Sequence, residues 1–375
     1  MLKQILAITL MNVRSIPERW GPSLVIVIGL AGVVAVFTAL LAMANGFSST
    51  LQSAGRDDNA IVLRGQSGAE LNSGFGRDSM ELIKLGPGIR KGPDGQPLAA
   101  GELMVITELA RKDDPAAVAN VTLRGVEPNA FELRPELSLV QGRRFRPGLQ
   151  ELLVGVAAQR QFDGLDVGHT LRFKGSDWRI VGVFESDGDG HESELWADTE
   201  SVQNAFDRSG YSSVLAQMTS LAAFDGFRER LKNDPQLTVD VEPELEYFSK
   251  QSETLTFLIR LLTNVITVIM AIGALFGALN TMYSAVSART REIGTLRALG
   301  FGAMPVIASV MAEALALAIS GGVLGALLAY VFFNGYSVST LGSGFTQVAF
   351  KFAVTPGLVM TGLGLALFIG FIGGL

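Results

Sequence analysis

The densest run of reactive side chains in this 375-residue chain is Asp187-Gly-Asp-Gly-His-Glu-Ser-Glu194. Oxygen ligands spaced this way could hold Ca²⁺, but the run lacks the Gly at position six and the Glu at position twelve of an EF-hand loop. A hydrated acidic loop following a strand is the favoured reading. His169 and His191 are the only histidines and cysteine is absent, which leaves too few ligands for a zinc site. Asp163, Asp166 and His169 share a loop with no nucleophile motif, and neither G-x-S-x-G nor H-E-x-x-H occurs. The chain therefore reads as a non-enzyme with no cofactor or metal of its own. It also lacks G-x-x-x-x-G-K-[ST], so ATP and its Mg²⁺ would have to be bound by another polypeptide.

The remaining chemistry sits beside or within apolar sequence. Ala285 to Phe301, AVSARTREIGTLRALGF, carries Arg289, Arg291 and Arg297 against a single Glu292. A compact basic helix between two membrane spans lies at the membrane surface, where a cytoplasmic motor can push on it. Arg289, Arg291, Glu292, Thr295 and Arg297 are the candidate coupling residues. Glu313 falls inside a span, where an ionisable side chain is costly and marks a functional hypothesis. Arg260 lies at the opposite end of the bilayer, so the partner of Glu313 is expected among backbone groups or within 289–297. An anchor and a proton relay both stay open, although no second intramembrane acid follows to receive a proton.

Four apolar stretches must position these groups. With 48% hydrophobic residues and a mean hydropathy of +0.35, the chain offers spans at 22–44, 254–286, 302–333 and 354–375. Each has the roughly 20 residues needed to cross about 30 Å of hydrocarbon. The first is read as a retained span and not a cleaved signal peptide. Lys3, Arg14 and Arg19 before span one, with the arginines of 287–301, place those segments inside. The C-terminus is then inside as well, 334–353 is a short outer loop, and 45–253 lies outside the cytoplasm. Eight Lys/Arg and three Asp/Glu lie beyond 44–253, which leaves that segment 22 basic and 33 acidic residues and a net charge of −11. Such acidity argues against nucleic acid as a partner. About 210 residues can bury a core without disulfides.

The outer segment reads as α/β. Strands are expected at Ala60–Leu63, Met104–Thr107 and Val121–Val126, a strand pair at 171–184, and helices at Glu200–Arg208 and Leu221–Lys232. Segments 64–78 and 84–97 read as loops. Polar helical sequence at Asn45–Ala54 and Glu244–Thr254 runs straight out of spans one and two, so a stalk of paired helices is expected, with interfacial fraying as the alternative. Residues 1–21 carry apolar Leu2, Ile5, Leu6, Leu10 and Val13 at helical spacing and read as an amphipathic helix on the inner surface, ended near Pro17. That helix is either a second contact for a cytoplasmic partner or an anchor. Gly273-x-x-x-Gly277, Gly321-x-x-x-Gly325 and Gly370-x-x-x-Gly374 each put two glycines on one helix face, which favours close packing in a dimerising bundle.

Three stretches resemble the MacB/FtsX-like family of ABC transporter permeases. Asn280 to Phe301 looks like the exit of that family's second span with its coupling helix, and Glu313 to Gly325 (EALALAISGGVLG) is similar to its third-span pattern. Gly142-Arg-Arg-Phe145, Glu151-Leu-Leu-Val-Gly155, Phe162 to Gly168 and Trp178 to Val183 resemble its periplasmic core domain. The resemblance implies a bacterial inner-membrane protein with four transmembrane helices and a large α/β periplasmic domain inserted between helices one and two. It further implies a dimer of a separate cytoplasmic ABC ATPase, which holds ATP and Mg²⁺, and a second permease subunit, identical or homologous. Two departures matter. The family's namesake carries its ATPase at its own N-terminus, and members usually end in a short basic segment where this sequence stops at Leu375.

The leading functional expectation is ATP-driven motion of the periplasmic domain that exports a substrate, with a periplasmic adaptor and an outer-membrane channel. A lipoprotein-extracting permease, which needs a hydrophobic lateral pocket between spans one and two, is one alternative. An FtsX-like regulator of a periplasmic hydrolase is another.

Overall fold

A computed structural model describes residues 20–298, 302–342 and 346–374, apart from the side chains of 20, 22, 285, 292, 293 and 296. Residues 1–19, which hold most of the expected amphipathic helix, lie outside the described residues. The chain forms two compact units, one built from residues up to Gly46 with Thr256–Tyr336 and Lys351–Leu375, the other from Phe47–Leu255 with Ser337–Phe350.

Among the described residues, four helices are long and apolar enough to cross a membrane, and most of their length lies in the first unit. Spans one to four are Trp20–Gln52, Glu244–Ala288, Ala303–Phe333 and Pro356–Gly374. Helices suit these runs because hydrocarbon offers no partner for backbone N–H and C=O groups, and a helix satisfies them within itself. Span one packs Ile26, Leu30 and Val33 against Ala314, Leu317 and Ala318 of span three and Ile369 of span four. The glycine faces separate into two kinds. A Cβ on Gly325 would lie 2.5 Å from the carbonyl oxygen of Ala31, and one on Gly321 would lie 2.8 Å from Leu30 Cβ, so that face admits span one. Gly370 and Gly374 likewise face Ala318 and Ala314. Gly273 and Gly277, expected as a packing face, meet nothing within 4 Å in this chain.

The second unit is a ten-stranded mixed sheet with helices on its faces. Its strands are β1 (Asn59–Arg64), β2 (Ala99–Ala110), β3 (Val118–Val126), β4 (Ser138–Gly142), β5 (Glu151–Gly155), β6 (Thr170–Phe173), β7 (Ser176–Glu185), β8 (Leu195–Asp198), β9 (Ser213–Gln217) and β10 (Val239–Pro243). The order is β10-β1-β9-β2-β3-β8-β5-β7-β4, with β6 paired to β7. Strand β2 joins two lobes. Its residues Ala99–Glu102 pair with β9, while Leu103–Ala110 pair with β3. One lobe packs helices Arg77–Lys84 and Leu221–Lys232 over β1, β9 and β10, burying Met80, Ile83 and Phe227. The other buries Trp178, Phe162 and Leu123 beneath Val156–Gln161 and Thr199–Ala205. Each such apolar side chain removed from water contributes about 1.5–3 kcal/mol. The β6–β7 hairpin turns at Lys174-Gly175, whose φ angles of 51° and 75° suit the two-residue turn that matches strand twist.

Residues 334–353, expected as a plain loop, contain a hairpin of β11 (Ser337–Leu341) and β12 (Gln347–Lys351). The alternation Val338/Thr340 and Val348/Phe350 explains it, since β-branched and aromatic residues fit a half-buried pleat. The hairpin belongs to the α/β unit through Thr122 Oγ1–Thr346 Oγ1 (3.1 Å), Ala349 N–Ser193 Oγ (2.9 Å) and the edge-on rings of Phe47 and Phe350. Within the same unit the two stalk segments pair. Ser48 Oγ lies 3.4 Å from Ser252 Oγ, and a Cβ on Gly55 would strike the backbone of Leu245 at 2.6 Å.

Gly325→Ala should destabilise the helical bundle by about 1–3 kcal/mol, the usual cost of overpacking. Gly273→Ala should be neutral or stabilising by up to about 1 kcal/mol, through helix propensity alone. Thermal unfolding in mild detergent measures both. An equal loss at Gly273 would mean that another helix occupies that face.

Candidate functional site

Strand β3 is buried on both faces from Val121 onward, so Arg124 has no route to water. Its guanidinium is 1% exposed and saturated by carboxylates from three other parts of the chain. Nη1 donates to Glu70 Oε1 and Glu102 Oε2, both at 2.8 Å, while Nε and Nη2 hold the two oxygens of Glu194 at 2.8 and 2.9 Å. The planar fork of arginine makes such multidentate pairing possible where lysine could not. Arg134 extends the cluster by bonding Glu102 and reaching Glu244 Oε1 at 3.5 Å. Glu244 opens the helix of span two and also accepts from Asn59 Nδ2 (2.9 Å) and the backbone N–H of Arg56 (3.2 Å). The cluster thereby ties the foot of the second stalk helix to the sheet. Deleting one partner of a buried pair leaves a charge uncompensated, at a cost of about 3–5 kcal/mol.

The acidic run 187–194 is not a hydrated loop. Asp189, His191 and Glu194 are buried, and Gly190–Ser193 forms a 3₁₀ turn capped by Asp189. Glu194 also accepts from Trp196 Nε1 at 2.7 Å and faces His191 Nδ1 at 3.2 Å. The sequence could not show this, because the arginines that neutralise Glu194 and Glu102 lie 70 and 32 residues away. Arg124 and Arg134 themselves stood out by no motif. The one signal was at Arg124, a charge inside the apolar strand Val118–Val126; Arg134, at the end of the short helix Ala130–Leu133, gave none. Among the described residues no group of three His, Asp or Glu is arranged to hold a metal ion. A cleft adjoins the cluster, lined by Leu51, Met104, Phe248 and Val348 together with His191.

The cluster sets the protonation of its members. Burial by itself raises the pKa of Glu194 and Glu102, but Arg124 outweighs it at Glu194, and Arg134 with Arg124 outweighs it at Glu102, so both are held below the ordinary value. Burial would lower the pKa of His191, yet Glu194 and Asp189 raise it. Asp189 has no arginine beside it, and burial pushes it up to about 6.

In the membrane unit, span two ends at Ala288, Arg289 forms a turn, and a nine-residue helix runs from Thr290 to Ala298. Arg291, Thr295 and Arg297 are exposed on it. The Glu292 side chain lies outside the described residues. Arg289 differs from its neighbours. Its side chain is only 8% exposed and its Nη1 lies 3.3 Å from Glu313 Oε2, itself 7% exposed. Of the expected coupling residues, Arg289 therefore faces inward, and Glu313 has its carboxylate partner in the 289–297 segment and not in Arg260.

Residues 23–234 match the MacB-like periplasmic core domain family, and residues 264–375 match the FtsX-like permease C-terminal family. A macrolide export ATP-binding/permease protein MacB of Agrobacterium fabrum is 24% identical over 93% of this chain and 54% of its own length. The chain thus spans about half the length of the MacB relatives it matches. An uncharacterized ABC transporter permease of Bacillus subtilis, YvrN, is 22% identical over 85% of this chain and 83% of its own. The solved periplasmic region of MacB from Actinobacillus actinomycetemcomitans superimposes with a TM-score of 0.37 at 15% identity, covering 54% of this chain and 92% of that one.

The buried cluster generates a pH dependence. Protonated His191, with its pKa above 6.5, contributes stability that is present below pH 6.5 and lost as pH rises through the folded value. Asp189 binds its proton more tightly folded than unfolded, so stability also falls as pH rises from 3.8 to about 6. Glu194 works the other way, its contribution being present above pH 4.5 and lost as pH falls. The α/β unit should therefore be most stable in mildly acid solution. Asp189→Asn should raise stability at pH 8 relative to pH 5 by about 1.4 kcal/mol, the part of the Asp189 contribution still to be lost above pH 5. Urea unfolding followed by tryptophan fluorescence at the two pH values measures it.

Proposed function

Because the chain belongs to the MacB- and FtsX-like ABC transporter permeases, we propose that it is the membrane subunit of an exporter driven by a separate cytoplasmic ATPase. The observation that carries this reading is the short helix Thr290–Ala298, set between two spans with Arg291, Thr295 and Arg297 exposed. A helix of that size and charge offers a docking face to a soluble partner, and a nucleotide-driven change in that partner would bias the packing of the spans it joins. Spans one and two continue as helices to Gln52 and from Glu244, so movement in the bundle has a stiff route outward. The cluster on Arg124 and Arg134 makes the α/β domain respond as a body, because Glu244 at the stalk foot shares its charge network.

On this reading the N- and C-termini and the 287–301 segment face the cytoplasm, and the α/β domain faces the periplasm. Two permease subunits, identical or homologous, sit over an ATPase dimer that binds ATP and Mg²⁺. A periplasmic adaptor and an outer-membrane channel complete the path, and the MacB relatives' name as macrolide export proteins makes an amphiphilic small molecule the first substrate class to try. Arg289, buried against Glu313, is not part of the docking face.

Arg291→Glu/Arg297→Glu should reduce the ATPase retained on affinity purification from native membranes at least tenfold, with the permease still monodisperse. Retention at the wild-type level contradicts the docking assignment. Mass spectrometry of the wild-type preparation tests the rest: an adaptor and an outer-membrane channel are the expected companions, and a periplasmic hydrolase in their place would replace export with regulation.

A further inference from the structure

Arg289 is the single turn residue between the helix of span two and the coupling helix Thr290–Ala298. The helix of span two ends one residue before it and the next helix begins one residue after it. Its N–H donates to Val286 O at 3.0 Å, and Thr290 Oγ1 donates to Ser287 O at 2.7 Å, so the break is a tight turn. A one-residue turn leaves the direction of the following helix to the few dihedral angles at the break. A contact that holds the side chain at that turn restrains the helix that follows. That side chain is held by Glu313, the eleventh residue of the helix Ala303–Phe333, about 15 Å along it. Glu313 is thus too deep to be a surface contact, and the pair is buried on both sides.

We propose that the Arg289–Glu313 pair is a latch that fixes the angle of the coupling helix against span three, with Glu313 acting as a positioning residue. The inference rests on the coupling-helix reading for its purpose but not for its test. Through the latch, a push on the exposed face of the helix reaches span three directly, besides travelling along span two. Glu313 then needs no proton-transfer partner, and its carboxylate serves as a fixed hydrogen-bond acceptor for the guanidinium.

The absence of cysteine lets spin labels go only where they are placed. Labels at Ala298→Cys and Ser320→Cys, both exposed positions, report the distance between coupling helix and span three in the permease alone. The measurement uses nanodiscs, diluted with unlabelled chain. Glu313→Ala and Arg289→Ala should each broaden the distance distribution at least twofold. The double variant should be no broader than the wider single one, since all three lose the same bond. Glu313→Gln, which keeps an acceptor oxygen, should stay near the wild-type width. An unchanged width in either alanine variant, or additive broadening in the double variant, overturns the latch. If the alanine variants do not enter discs, the exchange Arg289→Glu/Glu313→Arg should restore the width lost in Arg289→Glu, and an exchange as broad as that single variant overturns it. No ATPase is present, so failure of the latch and failure of the docking assignment give separate results.

Discussion

Arg124 can be buried to 1% exposure only because Glu70, Glu102 and Glu194 arrive with it from separate parts of the chain. That requirement organises the α/β unit. Glu70 comes from a short 3₁₀ turn after β1, Glu102 from the point where β2 passes from one lobe to the other, and Glu194 from the turn before β8. Arg134 and Glu244 carry the same network to the stalk. A buried ionic network is poor evidence of net stability, because desolvation costs offset the attraction. Its use here is geometric, in that several elements which could each shift in an apolar core are held at one relative position. The membrane unit repeats the device on a smaller scale in Arg289 and Glu313.

The spans, the inserted α/β domain and the basic helix were legible in the sequence because each rests on a local pattern. Uncharged runs of about 20 residues admit few other structures in lipid. The helix Leu221–Lys232 was legible from its periodicity and from Asp234-Pro235 beyond its end. The hairpin at 337–351 was not, since its alternation is confined to two short runs, Val338/Thr340 and Val348/Phe350, and a segment joining two spans reads as a plain loop. The charge cluster was hidden for a different reason. Whether Asp189 or Glu194 meets water depends on arginines that only the sheet topology delivers, and no spacing rule encodes that. Similarly, Arg289, Arg291 and Arg297 look alike as letters, and their separation into one inward and two outward side chains follows from the turn at 289.

The two charge networks suit the two tasks that the proposed function would set. On the proposed reading, one would make the α/β domain respond as a unit, and the other would fix the angle at which force enters the spans. Within the membrane unit, close glycine contacts at Gly321, Gly325, Gly370 and Gly374 leave little slack among spans one, three and four. Any motion in a bundle packed this closely would proceed by repacking between discrete arrangements and not by gradual deformation.

The most direct test of ATP-driven motion is the distance between labels at Gln52→Cys on the stalks of two permease subunits. The complex would be reconstituted with the ATPase that co-purifies and measured without nucleotide and with ATP and Mg²⁺. The account predicts a shift of the distance distribution on nucleotide binding that is lost when ATPase docking is removed. A distribution that is the same with and without nucleotide, in a complex that hydrolyses ATP, would contradict it.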